Sequence, residues 1–228
     1  MRELNYEVRS ALINSLSPAE YDYLFTIKNS ARHDEFLVGR GMSRVLLTHY
    51  LGLDSVRQLL IQIERQGKPV LDAVHGNVFF SVSHSASRLV IAVTRAGPLG
   101  VDVQVDLERR RDYIKIAGHF YHPREFLWFI QQPESERARA FYKLWTLRES
   151  LGKALGSGLG LPPHTFCIYP DQEGRPKVDS SESGLLDAAR WHLEHFFFED
   201  PDFFSLATAC AVSSPESPPL VLFKASFS

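Results

Sequence analysis

The chain has 228 residues, of which 44% are hydrophobic and 23% are charged, so it has the composition of a globular protein of one large or two small domains. Its 25 Lys and Arg residues against 27 Asp and Glu give a formal charge of −2, which argues against a general nucleic-acid binder. The N-terminus is charged where a signal peptide is apolar, and no apolar run could span a membrane. We therefore expect a cytoplasmic protein, with Cys167 and Cys210 as reduced thiols.

Two helices are predicted near the N-terminus. The first begins at Ser17, which can cap it, with Pro18 at the first helical position and Glu20 three residues after the cap. The second, FLVGRGMSRVLLTHYLGL, is amphipathic although it contains Gly39 and Gly41, which cost roughly 1 kcal/mol each relative to alanine. Glycines at this cost indicate the close approach of a neighbouring helix or a ligand.

Three strands are predicted next. NVFFSVSHS and RLVIAVTRA are joined around Ser83, His84 and Ser85, and GVDVQVD follows them. In GVDVQVD the valines alternate with Asp102 and Gln104, so the polar side chains share one face. A half-solvated edge strand has the same alternation, and the pattern alone leaves both interpretations open.

The stretch WTLRESLGKALGSGLG predicts a helix that ends in glycines. Glu149 and Lys153 stand four residues apart and share a helix face, next to an apolar stripe that can dock on a core. The spacing alone is also that of an ordinary surface ion pair, which contributes a few tenths of a kcal/mol.

The order of elements in the first half recurs in the second half. A helix, a Gly-Lys-Pro or Gly-Arg-Pro turn and two strands occur in each, and the distance from Arg40 to Gly67 (27 residues) nearly matches that from Arg148 to Gly174 (26). This predicts an α/β (α+β) fold of two similar subdomains, 1–105 and 106–228, related by a pseudo-two-fold axis. The active site is expected in the cleft between them.

The polar residues of these elements suggest a chemistry. Asp102 and Glu149 would suffice to hold one hard cation, completed by water and substrate oxygens. Cationic groups at Arg40, Lys68 and His84 suit a phosphorylated ligand. A metal flanked by such cations is typical of phosphoryl or phosphodiester transfer.

The blocks GVDVQ, WTLRESLGK, the GR of FLVGRGMSR, GKP and FSVSHS together resemble the surfactin-type (Sfp-type) 4′-phosphopantetheinyl transferases. All five occur in the family's order between about Leu16 and Gly160, with Asp102 and Glu149 47 residues apart. The resemblance implies a Mg²⁺-dependent enzyme. It would move the 4′-phosphopantetheine arm of coenzyme A onto a serine of an apo acyl, peptidyl or polyketide carrier protein, releasing adenosine 3′,5′-bisphosphate.

The resemblance also implies roles for individual residues. Asp102 and Glu149 match metal ligands, and Glu149 also matches the group that accepts the serine proton. Lys153 matches the lysine that orients this carboxylate and contacts the pyrophosphate. Gln104 stands where the family's motif has Glu, and its neutral amide can coordinate the metal through its carbonyl oxygen or hold a metal-bound water. The positions expected to bind coenzyme A are Arg40, Lys68, Ser83, His84, Arg32 and Lys28.

Two other classes of protein share parts of this pattern. One is another Mg²⁺-dependent phosphodiester enzyme, a nucleotidyltransferase or a hydrolase, although no stretch of the chain fits a P-loop. The other is a non-catalytic module that binds coenzyme A or a carrier protein. With the family's doubled architecture we expect a monomer whose partners are carrier proteins and coenzyme A, and neither nucleic acid nor a membrane.

Overall fold

The structure is a computed structural model that describes residues 5–86, 88–105, 112–157, 160–180, 184, 186–187, 190–199 and 203–212. The described residues form two compact units. The smaller unit contains residues 5–64 and 69–77, and the larger contains 65–68 and those from 78 onward.

The smaller unit is mainly helical. Its elements are α1 (Tyr6–Ser15), α2 (Pro18–Thr26), α3 (Ser30–Leu51) and an antiparallel pair of short strands, β1 (Ile61–Ile63) and β2 (Pro69–Leu71). The predicted cap of α2 is confirmed, because Ser17 Oγ accepts a hydrogen bond from Glu20 N–H and Glu20 Oε2 accepts one from Ser17 N–H. The predicted close approach of a neighbouring helix is confirmed at Gly41, where an added Cβ would lie 2.9 Å from Leu12 on α1. At Gly39 the space is open.

The larger unit combines three helices with seven strands among its described residues. The helices are α4 (Tyr113–Phe120), α5 (Pro123–Ile130) and α6 (Glu134–Ala154). The strands are β3 (Phe79–Ser85), β4 (Arg88–Thr94), β5 (Leu99–Val105), β6 (Cys167–Pro170), β7 (Pro176–Asp179), β8 (Trp191–Phe198) and β9 (Phe204–Ala211). Pairs β3–β4 and β6–β7 are antiparallel hairpins, and β5, β9 and β8 form an antiparallel sheet in that order.

Helix α6 lies directly on strand β5. A Cβ added to Gly100 would overlap the backbone carbonyl of Ser150, so only glycine allows this approach. The apolar stripe of α6 is buried in the main core, with Leu147 and Leu151 at 0% exposure. The helix ends at Ala154, and Gly156 follows it in the left-handed conformation (φ 76°) that favours glycine. This packing places residues 149 and 153 of α6 beside residue 102 of β5.

The α+β fold class is confirmed by the mixture of helices and small antiparallel sheets. Strand β5 belongs to the larger unit, because it pairs along its whole length with β9 and packs against α6, both from the second half of the sequence. The division into subdomains 1–105 and 106–228 stays a prediction. The pseudo-two-fold relation of the two halves stays a prediction.

The two cysteines are free thiols in buried positions, as predicted. In the part of the chain that the structure describes, no helix is both long enough and apolar enough to cross a bilayer.

Candidate active site on strand β5 and helix α6

Three alternating serines of β3 cover one edge of β5. The opposite edge of β5 is paired with β9. The backbone N–H groups of β5 that face β3 donate to serine hydroxyls at 3.1–3.2 Å. The pairs are Val101 with Ser81, Val103 with Ser83, and Val105 with Ser85. Every residue of β5 is buried except Gln104, which is half-buried, so the interpretation as a half-solvated edge strand is wrong.

Asp102 is the centre of a buried polar cluster on β5. Its side chain is 4% exposed, and its Oδ1 accepts hydrogen bonds from Lys153 Nζ at 2.7 Å and from Ser83 Oγ at 2.8 Å. Lys153 Nζ also donates to Ser83 Oγ at 2.9 Å and to the carbonyl of Val101 at 3.1 Å. A buried carboxylate needs such pairing, because removing it from water would otherwise be costly. Lys153 is thus paired with Asp102, and not with Glu149 as the four-residue spacing suggested.

Glu149 lies one helical turn before Lys153 and has an altered acidity. Burial raises its pKa from the usual 4.5 to about 7; the negative charge of Asp102 adds to this, and Lys153 and Arg148 oppose it. It faces a small cleft whose other lining residues are mostly aromatic, namely Phe120, Tyr121, Trp145, Arg148, Leu161 and Phe166. The result is a carboxylate able to take up or release a proton near neutral pH.

Glu125 is a structurally important residue that the sequence analysis missed. Its carboxylate is buried, and both of its oxygens accept hydrogen bonds from Nη1 of Arg148, at 2.8 and 2.9 Å. It also accepts from the N–H groups of Ile168 and His122, at 2.6 and 3.0 Å. Since Arg148 immediately precedes Glu149, this pair ties the turn of α6 that carries Glu149 to α5 and β6. The His122–Glu125 spacing signals a helix cap, but nothing local indicates the partner on α6.

Lys68 and Gln104 lie at the edges of the same cluster. Lys68 Nζ donates to the carbonyls of Lys153 at 2.6 Å and Ala154 at 3.1 Å, where a cation complements the C-terminal end of α6. Gln104 Nε2 donates to Asp102 Oδ2 at 3.4 Å. Ser83 belongs to the buried cluster, whereas the neighbouring His84 is exposed on β3.

The remaining predicted coenzyme-binding residues belong to the smaller unit. Arg40 is 12% exposed, and its Nη1 lies 3.4 Å from Glu20 Oε1 but makes no hydrogen bond. Arg44, one turn later, is 3% exposed and donates to three backbone carbonyls, which makes it structural. Lys28 lies just before α3 and Arg32 lies in its first turn, and both residues are exposed.

The acidic residues available for a metal are few. Among the described residues there is no group of three or more His, Cys, Asp and Glu side chains placed to hold one ion. The candidate set is the two carboxylates of Asp102 and Glu149 with the amide of Gln104. These are hard oxygen donors of the kind that Mg²⁺ accepts together with water and phosphate oxygens.

Comparison with known proteins connects this arrangement to one family. Residues 98–209, which contain β5 and α6, match the family model of the 4′-phosphopantetheinyl transferase superfamily. The chain is 31% identical to the 4′-phosphopantetheinyl transferase HetI of Nostoc sp. over 76% of its length and 70% of HetI. It is 31% identical to the 4′-phosphopantetheinyl transferase gsp of Aneurinibacillus migulanus over 60% of its length and 54% of gsp.

A solved structure of a related kind also aligns with the chain. A holo-(acyl-carrier-protein) synthase from Bacillus anthracis, in complex with CoA (3′,5′-ADP), is 15% identical, with a TM-score of 0.41. The alignment covers 52% of this chain and 98% of that one.

Proposed function

Since the chain belongs to the 4′-phosphopantetheinyl transferase superfamily, among relatives of the Sfp type, we propose that it transfers the 4′-phosphopantetheine arm of coenzyme A to a serine of an apo carrier protein. The observation that carries this proposal is the pairing of Glu149, with a pKa of about 7, with the buried Asp102–Lys153 cluster. The two neighbouring carboxylates differ in their surroundings. Such a difference allows one of them to accept a proton while the other remains ionised.

The reaction is a displacement at phosphorus. The serine oxygen forms a bond to the phosphorus that carries the pantetheine arm, and the bond from that phosphorus to the bridging oxygen of the pyrophosphate breaks. Adenosine 3′,5′-bisphosphate leaves with the bonding electrons, and the serine proton is transferred to Glu149. Catalysis of this kind depends on positioning and charge neutralisation more than on covalent chemistry.

Glu149 is proposed as the base. A carboxylate with a pKa of about 7 is largely ionised in slightly alkaline solution and is a stronger base than an ordinary glutamate. The ion pair of Arg148 with Glu125 restrains the backbone turn from which Glu149 projects. The transfer rate is therefore expected to rise with pH and to level off at or below about 7, because a cation bound at Glu149 would lower this pKa.

Asp102, Glu149 and Gln104 are proposed as the residues that would hold Mg²⁺. The negative charge of Asp102 contributes to the raised pKa of Glu149, because the two carboxylates repel each other. A cation bound by both carboxylates would relieve this repulsion. When bound, the metal supplies charge neutralisation for the pyrophosphate oxygens. Gln104 contributes an amide oxygen and no charge, so the site carries two formal negative charges.

The coenzyme-binding residues are proposed from the family pattern. Lys153, besides pairing with Asp102, would contact the pyrophosphate, and Lys68, Ser83 and His84 would bind other parts of coenzyme A. His84 is assigned to the 3′-phosphate. Further contacts are assigned to Arg40, Arg32 and Lys28. We also propose a cytoplasmic monomer.

The experiment that tests the proposal is intact-mass analysis of apo carrier proteins after incubation with this protein, coenzyme A and Mg²⁺. The panel contains acyl, peptidyl and polyketide carriers, because the sequence does not specify the acceptor. The expected result is a mass gain equal to the phosphopantetheine arm on at least one carrier, absent with Glu149→Gln. Coenzyme A cleavage without any gain on a carrier would instead support a phosphodiester hydrolase, and binding without cleavage would support a non-catalytic module.

A further inference from the structure

A second pocket lies in the larger unit, apart from the Asp102 cluster. It is a cavity of about 160 Å³, partly open to solvent, between helix α5, helix α6 and the β6–β7 hairpin. Its walls are mainly apolar and aromatic, with contributions from Trp128, Leu144, Leu147, Ile168, Tyr169 and Pro176. Small-molecule sites in proteins have this composition, with a few polar groups that fix the orientation of the ligand.

Among the described residues that line this pocket, three carry a charged side chain, and two of these are neutralised by protein partners. Arg124 pairs with Asp179 at 2.7 Å, and Glu125 is held by Arg148. The third, Lys143, is half-buried on α6 and has no ion pair or side-chain hydrogen bond to any described residue. Burial lowers the pKa of Lys143, because its charged form is partly removed from water without a compensating carboxylate.

We propose that this pocket binds a small monocarboxylate with an apolar body. The carboxylate accepts hydrogen bonds from Lys143 Nζ, and the apolar body packs between Trp128 of α5 and Leu147 of α6. Nothing in the reaction described above uses these residues. The ligand offsets the uncompensated charge of Lys143 and covers apolar surface in one binding event.

The donors present favour a carboxylate over a phosphate. Phosphate groups in proteins are usually held by several donors or by an arginine fork. Here Lys143 is the one charged donor without an ion-pair partner among the described lining residues, while Arg124 is engaged by Asp179. Cys167 also lines the pocket, but burial raises its pKa to about 11, so it is a neutral thiol and contributes surface only.

The test is calorimetric titration of the full chain with octanoate, in the absence of coenzyme A and carrier protein. Octanol serves as a neutral ligand of the same chain length. The variant is Lys143→Met, which keeps the aliphatic stem and removes the charge. The matched control is Lys115→Met, because Lys115 is exposed on α4 and does not line the pocket. Because no catalytic step is involved, the outcome is independent of whether the proposed transfer occurs.

The proposal expects saturable octanoate binding to the wild type and to Lys115→Met. It expects a loss of affinity of about tenfold or more in Lys143→Met, as for one charge-assisted hydrogen bond, with octanol affinity unchanged. Tryptophan fluorescence should change on titration and the change should be reduced in Trp128→Phe. Lys143→Arg, which keeps the positive charge, should retain octanoate binding, which separates loss of charge from loss of fold. Absence of saturable binding to the wild type, or equal octanoate affinity in Lys143→Met, would overturn the proposal.

Discussion

Replacing Glu149 with glutamine should stabilise the protein in alkaline solution and have much less effect in acid. The folded-state pKa of about 7 lies above the usual 4.5, so the folded protein holds this proton more tightly than the unfolded chain does. The cost of ionising Glu149 is therefore absent well below pH 4.5, grows between the two values and is complete above pH 7. Glutamine has the same shape and never ionises, so it removes this cost.

The size of the effect follows from the shift in acidity. The difference between about 7 and 4.5 corresponds to about 3.4 kcal/mol, at 1.36 kcal/mol per pH unit. Because Glu149 is only partly buried, solvent screening reduces this value, and we expect about 2 kcal/mol for the gain in unfolding free energy near pH 8. Near pH 5 the expected gain is below about 1 kcal/mol.

The assay is urea unfolding of the wild type and Glu149→Gln at both pH values, followed by circular dichroism without added metal. The control is Glu64→Gln, since Glu64 is exposed and should show no pH-dependent difference. Unfolding free energies of Glu149→Gln that are equal to the wild type at both pH values would refute the argument that burial and Asp102 oppose the ionisation of Glu149. A loss of stability confined to high pH would show that the ionised carboxylate is stabilised instead.

Three further predictions concern neighbouring residues. Gln104→Ala should keep measurable transfer activity whereas Asp102→Ala should nearly abolish it, because only the carboxylate contributes charge; equal losses in the carrier mass assay would contradict this. Ser83→Ala should weaken Mn²⁺ binding, measured by electron paramagnetic resonance, more than Ser81→Ala, since both hydroxyls accept from β5 but only that of Ser83 contacts Asp102; equal effects would show that the hydroxyl contact does not position the carboxylate. Glu125→Ala should lower the unfolding free energy by about 3–5 kcal/mol, because it leaves a buried guanidinium unpaired, and a loss below about 1 kcal/mol in urea melts would count against that pair.

The sequence predicted the elements that carry the candidate site because their signals are local. The alternation of valines around Asp102 specifies a strand, and the spacing of leucines around Glu149 specifies a helix. That these two elements meet was anticipated from the repeated order of elements and from the family resemblance, and no local signal in the sequence specifies it. The structural reason is Gly100, whose missing side chain allows α6 to lie on β5.

The partners of individual polar groups could not be predicted from spacing. Lys153 and Glu149 share a helix face, yet the ammonium group extends across to Asp102, because a buried carboxylate on the adjoining strand is the stronger attractor. Arg148 likewise pairs with a residue 23 positions away. Ser83 and Ser85 look like turn residues in the sequence, and only the three-dimensional arrangement reveals that they and Ser81 accept hydrogen bonds from the N–H groups of β5.

The most direct test of the proposed function is the parallel quantification of two products in one reaction: the modified carrier serine and adenosine 3′,5′-bisphosphate. The carrier is digested and the serine-bearing peptide is measured by mass spectrometry, while the nucleotide is measured by liquid chromatography. Transfer predicts equal molar amounts of both products, and neither with Glu149→Gln. Nucleotide released without modified serine, or an arm attached to a residue other than serine, would contradict the assignment of this chain as a carrier-protein phosphopantetheinyl transferase.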